Sequence, residues 1–393
     1  MAKLIEITGK ALSGEWGTDD ETGEGIPVLR TTNFTNEGVV NYNDVVTRTI
    51  TKKNIDEKFL RKGDIIIEKS GGSDKFPVGR VIYFDGEDNT YLFNNFTGLL
   101  RVKNQEVWYP RYVFYSLFAN YKRGGTRAFE NKTTGLHNLK TDDYVSRYEV
   151  VETDKEKQVL ICEKLDKLYG IIKLRKQELQ LLDDLIKSRF VELFGDENNS
   201  KKWKTVNVED VAEVQVGVVI KPSQYYTDEA NGVRAFRSLN VGEGFIKNSN
   251  WVYFTQEGHQ KNSKSILKEN DLLIVRSGTP GTTCVVTKEY EGCNAIDIII
   301  AHPNSELVNP YYLCAFTNMP HGKKQINEGT GGAAQQHFNV GKYNKLHLML
   351  PPLEIQNEFV SFVHQVDKSK IAVQKSLDET QQLFDSLMQQ YFG

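Results

Sequence analysis

The chain has 393 residues, 39% of them hydrophobic and 26% charged, with a formal net charge of −3. This is ordinary globular composition with room for two or three domains, and the slight acidity excludes a ligand held by overall positive charge alone. No apolar run approaches the ~20 residues needed to cross a bilayer. The start "MAKLIEITGKALSGEW" has no signal-peptide core, and the four cysteines form no CxxC pair, so a cytoplasmic protein with reduced, buried thiols is expected.

In chain order, residues 1–152 read as a first domain of short strands and turns. "GIPVLRTTN" (Gly25–Asn33) carries Arg30, and "LRKGDIIIEKSG" (Leu60–Gly71) is a β-branched run closed by Lys69, Ser70 and a glycine. "WYPRYVFYSLF" (Trp108–Phe118) follows, then the cation- and glycine-rich "YKRGGTRAFENK" (Tyr121–Lys132) with Arg123, Thr126 and Arg127. Residues 153–199 are read as a helical spacer. From Lys155 to Phe194 there is no proline, and Ile161, Leu165, Leu168, Ile172, Leu179, Leu182 and Ile186 recur in alternating steps of four and three, which is a heptad seam.

Residues 200–350 then repeat the first domain. "GVRAFRSLN" (Gly232–Asn240) answers the first phrase and places Arg237 opposite Arg30. "LKENDLLIVRSG" (Leu267–Gly278) answers the second, with Arg276 and Ser277 opposite Lys69 and Ser70. "HGKKQINEGTGGAAQQHF" (His321–Phe338), with Lys323, Lys324, Gln335 and Gln336, corresponds to the segment from Tyr121. In the last segment, 351–393, Pro351 and Pro352 suit a helix start, and Ile355, Phe359, Phe362, Val366, Val373, Phe384, Leu387 and Tyr391 form a looser stripe.

Ordered correspondences of this kind mean tandem duplication. The expected fold is α+β: two mixed globules and two long helices packed as an antiparallel coiled coil, related by a pseudo-twofold. Such a molecule grips two of something at a fixed separation. Sequence motifs for catalysis are lacking: there is no P-loop, HExxH or GxSxG. Asp64 and Glu68 suggest a metal nuclease only until the second copy is compared, where Asp271 is kept but Val275 replaces the glutamate. No metal site and no catalytic residue is expected. What remains is binding chemistry. Lys and Arg beside glycine-freed backbone N–H groups suit phosphate oxygens, and Arg or Gln suit base edges. Arg30, Lys69, Ser70, Arg123, Thr126, Arg127, Arg237, Arg276, Ser277, Lys323, Lys324, Gln335 and Gln336 are therefore candidate contacts to phosphates and base edges. For Arg30 and Arg237 a salt bridge within the fold is the competing reading.

"GIPVLRTTN", "LRKGDIIIEKSGG" and above all "GTGGAAQQHFNVGKYNKLHLMLPPLEIQ" (Gly329–Gln356), running into a helix that ends "YFG", resemble the specificity subunit of type I restriction–modification systems. The resemblance implies two target-recognition domains, each reading half of a split asymmetric DNA sequence, with spacer helices fixing the gap. It implies docking to two modification subunits that use S-adenosylmethionine, and to ATP- and Mg-dependent restriction subunits, with no cofactor in this chain and no membrane. In the first copy, "YEVVETDKEKQ" (Tyr148–Gln158) stands where the proline motif belongs. A two-headed protein-binding scaffold and a duplicated nuclease or methyltransferase are the alternatives.

Overall fold

A computed structural model describes residues 1–133, 136–196, 198–329 and 338–393. Tertiary contacts divide the chain into two units, Met1–Lys176 with Lys375–Gly393, and Gln177–Gln374. Each holds one globule and one half of each spacer helix.

The globules share two four-stranded sheets with the same strand order. In the first unit one sheet runs Leu12–Ser13, Thr97–Leu100, Ile65–Glu68, Val81–Tyr83; in the second it runs Ala212–Val216, Ile298–Pro303, Leu272–Val275, Thr283–Val285. A second sheet runs Thr18–Asp19, Val46–Thr49, Ile26–Leu29, Leu92–Phe93 in one unit and Tyr226–Thr227, Val252–Phe254, Val233–Phe236, Asn294–Ala295 in the other. Both second sheets place a parallel pair last, Ile26–Leu29 on Leu92–Phe93 and Val233–Phe236 on Asn294–Ala295. The duplication seen as scattered phrases thus extends to the pairing of both four-stranded sheets, while a three-stranded sheet of Glu130–Thr133, Leu136–Leu139 and Ser70–Gly72 is described in the first unit alone.

Strands buried on both faces explain the unbroken apolar runs in the sequence. Leu272, Ile274, Ile299 and Ala301 point toward the helices and belong to a core with Phe190, Tyr312 and Phe359. Their neighbours Leu273, Val275, Ile298 and Ile300 point the other way, into a core with Phe236 and Val241. With a side-chain period of two, both faces along residues 272–275 and 298–301 are filled by apolar side chains. The four cysteines are buried and unpaired, as their spacing implied, and burial pushes the Cys293 thiol up to about 11.

The spacer helices span Lys155–Phe194 and Leu353–Phe392, the bounds expected from the sequence. In the second unit Lys370 pairs with Asp183 at 2.7 Å and Arg189 with Glu358 at 2.5 Å, so rising numbers on one helix meet falling numbers on the other. The helices are antiparallel. Ile161, Leu165 and Ile172 are buried, while Leu168, Leu179, Leu182 and Ile186 are only partly so. In the second seam Phe359, Val366, Val373 and Phe384 are buried, with Leu377 and Met388 beside them in the stripe, and Phe362 is partly buried, with its ring 5.8 Å from the Arg189 guanidinium. The stripe looked loose because Lys370 occupies a core-facing place, where its stem is covered and its ammonium reaches Asp183.

Each spacer helix is tied to a globule at both ends. At the start of the first, buried Gln158 accepts from Tyr109 N–H at 2.8 Å and donates to the carbonyls of Val107 and Thr153 at 3.0 and 2.9 Å. At the start of the second, buried Gln356 accepts from Asn309 N–H at 2.8 Å and donates to Leu307 and Pro351 at 3.3 and 2.8 Å. The divergent "YEVVETDKEKQ" therefore makes the same joint as "LPPLEIQ". Both joints add a tyrosine: Tyr112 donates to Val151 O, and Tyr312 to Met349 O. The far ends match too. In the second unit Phe194 lies 4.6 Å from the Tyr312 ring, and in the first unit Phe392 lies 5.1 Å from the Tyr112 ring. This is the physical content of the repeated terminal "FG".

Candidate nucleic-acid interface

Turns that follow buried strands carry most of the candidate residues. Arg30 and Arg237 begin matching turns in which a buried asparagine organises the next loop. Asn33 accepts from Arg30 N–H at 2.8 Å and donates to the carbonyls of Asn41 and Asp44 at 3.0 Å each. Asn240 accepts from Arg237 N–H at 2.9 Å and donates to Ser249 O at 2.7 Å. The guanidinium groups lie along the loops so formed. Arg30 is 3.0 Å from the Asp44 carboxylate, and Arg237 donates to the Asn250 carbonyl. Among the described residues, the intramolecular salt bridge weighed for both thus exists for Arg30 only.

Lys69 and Arg276 leave the ends of equivalent strands. Lys69 Nζ is 3.1 Å from Ser13 Oγ, and burial of its stem pulls its pKa down. Arg276 pairs with Asp297 at 2.5 Å and also donates to Phe338 O at 3.4 Å. Asp297 takes a left-handed backbone, φ 50°, to present that carboxylate. Ser70 opens a short strand, Ser70–Gly72, paired to Asn138. Ser277 stands at the corresponding turn after Arg276.

The segment from Tyr121 departs most from expectation. Thr126 is fully buried, and a Cβ on Gly79 would come within 2.8 Å of its methyl, so as a DNA contact it is corrected to a packing residue. Arg123 is exposed, and its guanidinium donates at 2.7 Å to the carbonyl of Phe392, at the C-terminal end of the second spacer helix, where a cation is favoured. Arg127 is exposed and donates to the carbonyls of Asp74 and Lys75 at 3.3 and 3.4 Å. It braces the turn that carries Phe76. In the second unit Lys323 is 2.5 Å from Glu243, Lys324 lies on the same helix, and Gln335 and Gln336 fall outside the described residues.

These bonds sort the cations by charge balance. Arg30, Arg276 and Lys323 each sit against a carboxylate, whereas Lys69, Arg127 and Arg237 bond neutral oxygens. The second group presents the stronger local positive field to a phosphate. Sequence reading missed the exposed aromatics beside them, Phe76 at 55% and Phe96 at 54% exposed, and Phe245 at 58% in the second unit. An aromatic near a strand reads as core by default. It also missed Arg80, which joins the Arg30 turn to the Lys69 strand through the carbonyls of Thr31 and Phe34 and the buried Glu68 carboxylate.

Two pairings with a catalytic look turn out to fasten turns. Asp271 accepts from Lys268 N–H and lies 2.6 Å from His302 Nδ1. In the same place of the first unit Asp64 accepts from Arg61 N–H, and Arg101 holds it at 2.6 Å. A pair that is Asp–His in one copy and Asp–Arg in the other serves the loop. Desolvation raises the pKa of the Glu68 carboxyl against the pull of Arg80. Among the described residues no group of three or more acidic, imidazole or thiol side chains converges as a metal site, and no helix is long and apolar enough to cross a membrane.

Comparison with known proteins follows the same duplication. The family described as type I restriction modification DNA specificity domain matches twice, over residues 2–183 and 200–382. The specificity subunit of the Escherichia coli type I restriction enzyme EcoBI is 18% identical over 348 residues, covering 80% of this chain and 72% of that protein. A chain solved in work on complex assembly and conformational transition of the type I R-M system superposes with a TM-score of 0.59 at 15% identity, covering 100% of this chain and 96% of that one. The S subunit of the M. genitalium type I system gives 0.56 at 15% identity, covering 100% and 95%. At these identities the two structures speak to the fold.

Proposed function

The chain belongs to the type I restriction modification DNA specificity family and carries its domain twice, and from that membership we propose how it works. It is the DNA-recognition subunit of a type I restriction–modification complex. Each globule reads one half of a split, asymmetric target, and the spacer helices set the gap. The observation that carries this reading is the matching of the two units in sheet order, in the Arg-x-x-Asn turn and in the helix joints. Two equal readers held by two equal helices suit two half-sites at one separation.

Within the complex, this subunit binds duplex DNA, and two modification subunits supply methyl transfer from S-adenosylmethionine. ATP- and Mg-dependent restriction subunits complete the assembly, in the cytoplasm. This chain itself holds no cofactor and performs no chemistry. Supplied with S-adenosylmethionine, ATP and Mg²⁺, the pure chain is expected to give neither methylation nor cleavage; sustained turnover would end the non-catalytic reading.

The decisive experiment exchanges one reader. Replacing residues 201–345 with the equivalent segment of another family member, and mapping methylation in cells that also express the modification subunit, is expected to alter one half of the target and leave the other. Changes in both halves would mean that the two globules read jointly.

Charge makes a separate prediction. Lys323→Ala with Lys324→Ala is expected to weaken binding to cognate and unrelated duplex alike, and to lower the slope of log K against log salt by about one per lysine that meets a phosphate. Titrations at several salt concentrations check this, and an unchanged slope removes the segment from the interface.

A further inference from the structure

We propose that Gln158 and Gln356 are positioning residues that fix the direction in which each spacer helix leaves its globule, and so select which half-site spacing the protein accepts. This rests on the reading given under Proposed function. Both glutamines lie in the first turn of a spacer helix and are buried, at 1% and 0% exposure. Each carboxamide spends its acceptor on the N–H of the residue before a globule helix, Tyr109 or Asn309, and its donors on two carbonyls. One carbonyl belongs to the loop leading into that globule helix, Val107 or Leu307; the other belongs to the connection entering the spacer, Thr153 or Pro351. Two stretches of chain, the loop before the globule helix and the entry to the spacer, therefore meet on one side chain, and both must keep register for its bonds to close.

Sequence context makes the coincidence informative. The residues entering the two helices differ, "VVETDKEKQ" against "MLPPLEIQ", yet the same bonds form. A side chain needed only to fill space would not demand an acceptor and two donors in the same places twice. Leverage supplies the functional consequence. A helix of this length extends ~60 Å, so a tilt of about 10° at its base swings the far end sideways by about 10 Å and carries the far globule around the duplex, off the groove that a given gap presents to it. Small freedom at the joint is large freedom at the half-site.

The test uses the full chain with its modification subunit and duplexes in which both half-sites, first established by methylation mapping, are held constant while the gap is varied one base pair at a time. Gln158→Met with Gln356→Met keeps length and bulk but removes the bonds. The expected result is at least a tenfold fall in preference for the cognate gap over gaps one or two base pairs away, while base changes within either half-site remain as damaging as in the wild type. Conservative rescue provides the control. Gln158→Glu and Gln356→Glu retain an acceptor for the Tyr109 and Asn309 N–H groups and are expected to lie between Met and wild type. If the Met pair fails to fold by circular dichroism, these two variants carry the comparison. A gap profile of unchanged shape, whether activity is intact or uniformly lowered, overturns the proposal. A wild-type protein indifferent to gap length would sink the underlying reading instead, and shows before any variant is made.

Discussion

Lengthening both spacer helices by two heptads is expected to widen the gap between half-sites and leave each half-site sequence unchanged. Fourteen residues inserted near Gln177 and a matched fourteen near Gln374 keep the seam in phase, because each heptad returns the same face. The added length is ~21 Å at 1.5 Å per residue. At about 3.4 Å per base-pair step, that is up to about six base pairs. Rotation of one reader about the duplex restricts acceptance to gaps that bring both onto their grooves, so some spacings within that range should fail. Inserting into one helix alone breaks the register of Lys370 with Asp183 and Arg189 with Glu358, and is expected to abolish modification. Methylation mapping checks all three variants. Retention of the original gap by the doubly lengthened protein would mean that the helices do not set the distance.

Truncating Phe359 to alanine is expected to be the most destabilising single change in the second unit. Its ring is fully buried and lies edge-on to Phe190 and Phe194, both at 5.4 Å. Those two rings are 4.7 Å apart, and Phe194 lies 4.6 Å from Tyr312. The cluster joins both spacer helices to the globule helix Pro310–Asn318, so the cavity opens where three elements meet. Large-to-small changes of this kind cost about 3–5 kcal/mol. The cluster lies within the second unit, so the loss is expected to appear chiefly in that unit's thermal transition. Scanning calorimetry measures it. A loss below about 1 kcal/mol would show that the helices do not depend on this cluster.

Both predictions involve features whose legibility in the sequence differed. The spacer helices could be read to their ends, because a heptad repeat is a local property: Ile161, Leu165 and Ile172 recur at a period that only a helix brings to one face. The duplication was legible for a similar reason, since strands buried on both sides must be apolar at every position, and such runs recur recognisably. The absence of enzyme motifs followed from residue types alone.

Partnership between residues far apart in the chain was decided only by the tertiary structure. Gln158 and Gln356 act on backbone groups, which carry no sequence signature, so equivalent joints were hidden behind unlike flanking residues. Lys370 counted against a seam until Asp183 stood beside it. Thr126 and Arg123 looked like loop residues free to meet a phosphate; folding buried the first against Gly79 and turned the second toward the Phe392 carbonyl. Charge in a sequence is a count, and its availability to a ligand depends on which oxygen lies within 3 Å after folding. Asp44, Asp297 and Glu243 balance Arg30, Arg276 and Lys323, while Lys69, Arg127 and Arg237 rest on neutral acceptors. Periodicity gave the architecture because it is written in neighbouring residues; charge pairing and joint geometry came from three-dimensional proximity, which neighbouring residues do not encode.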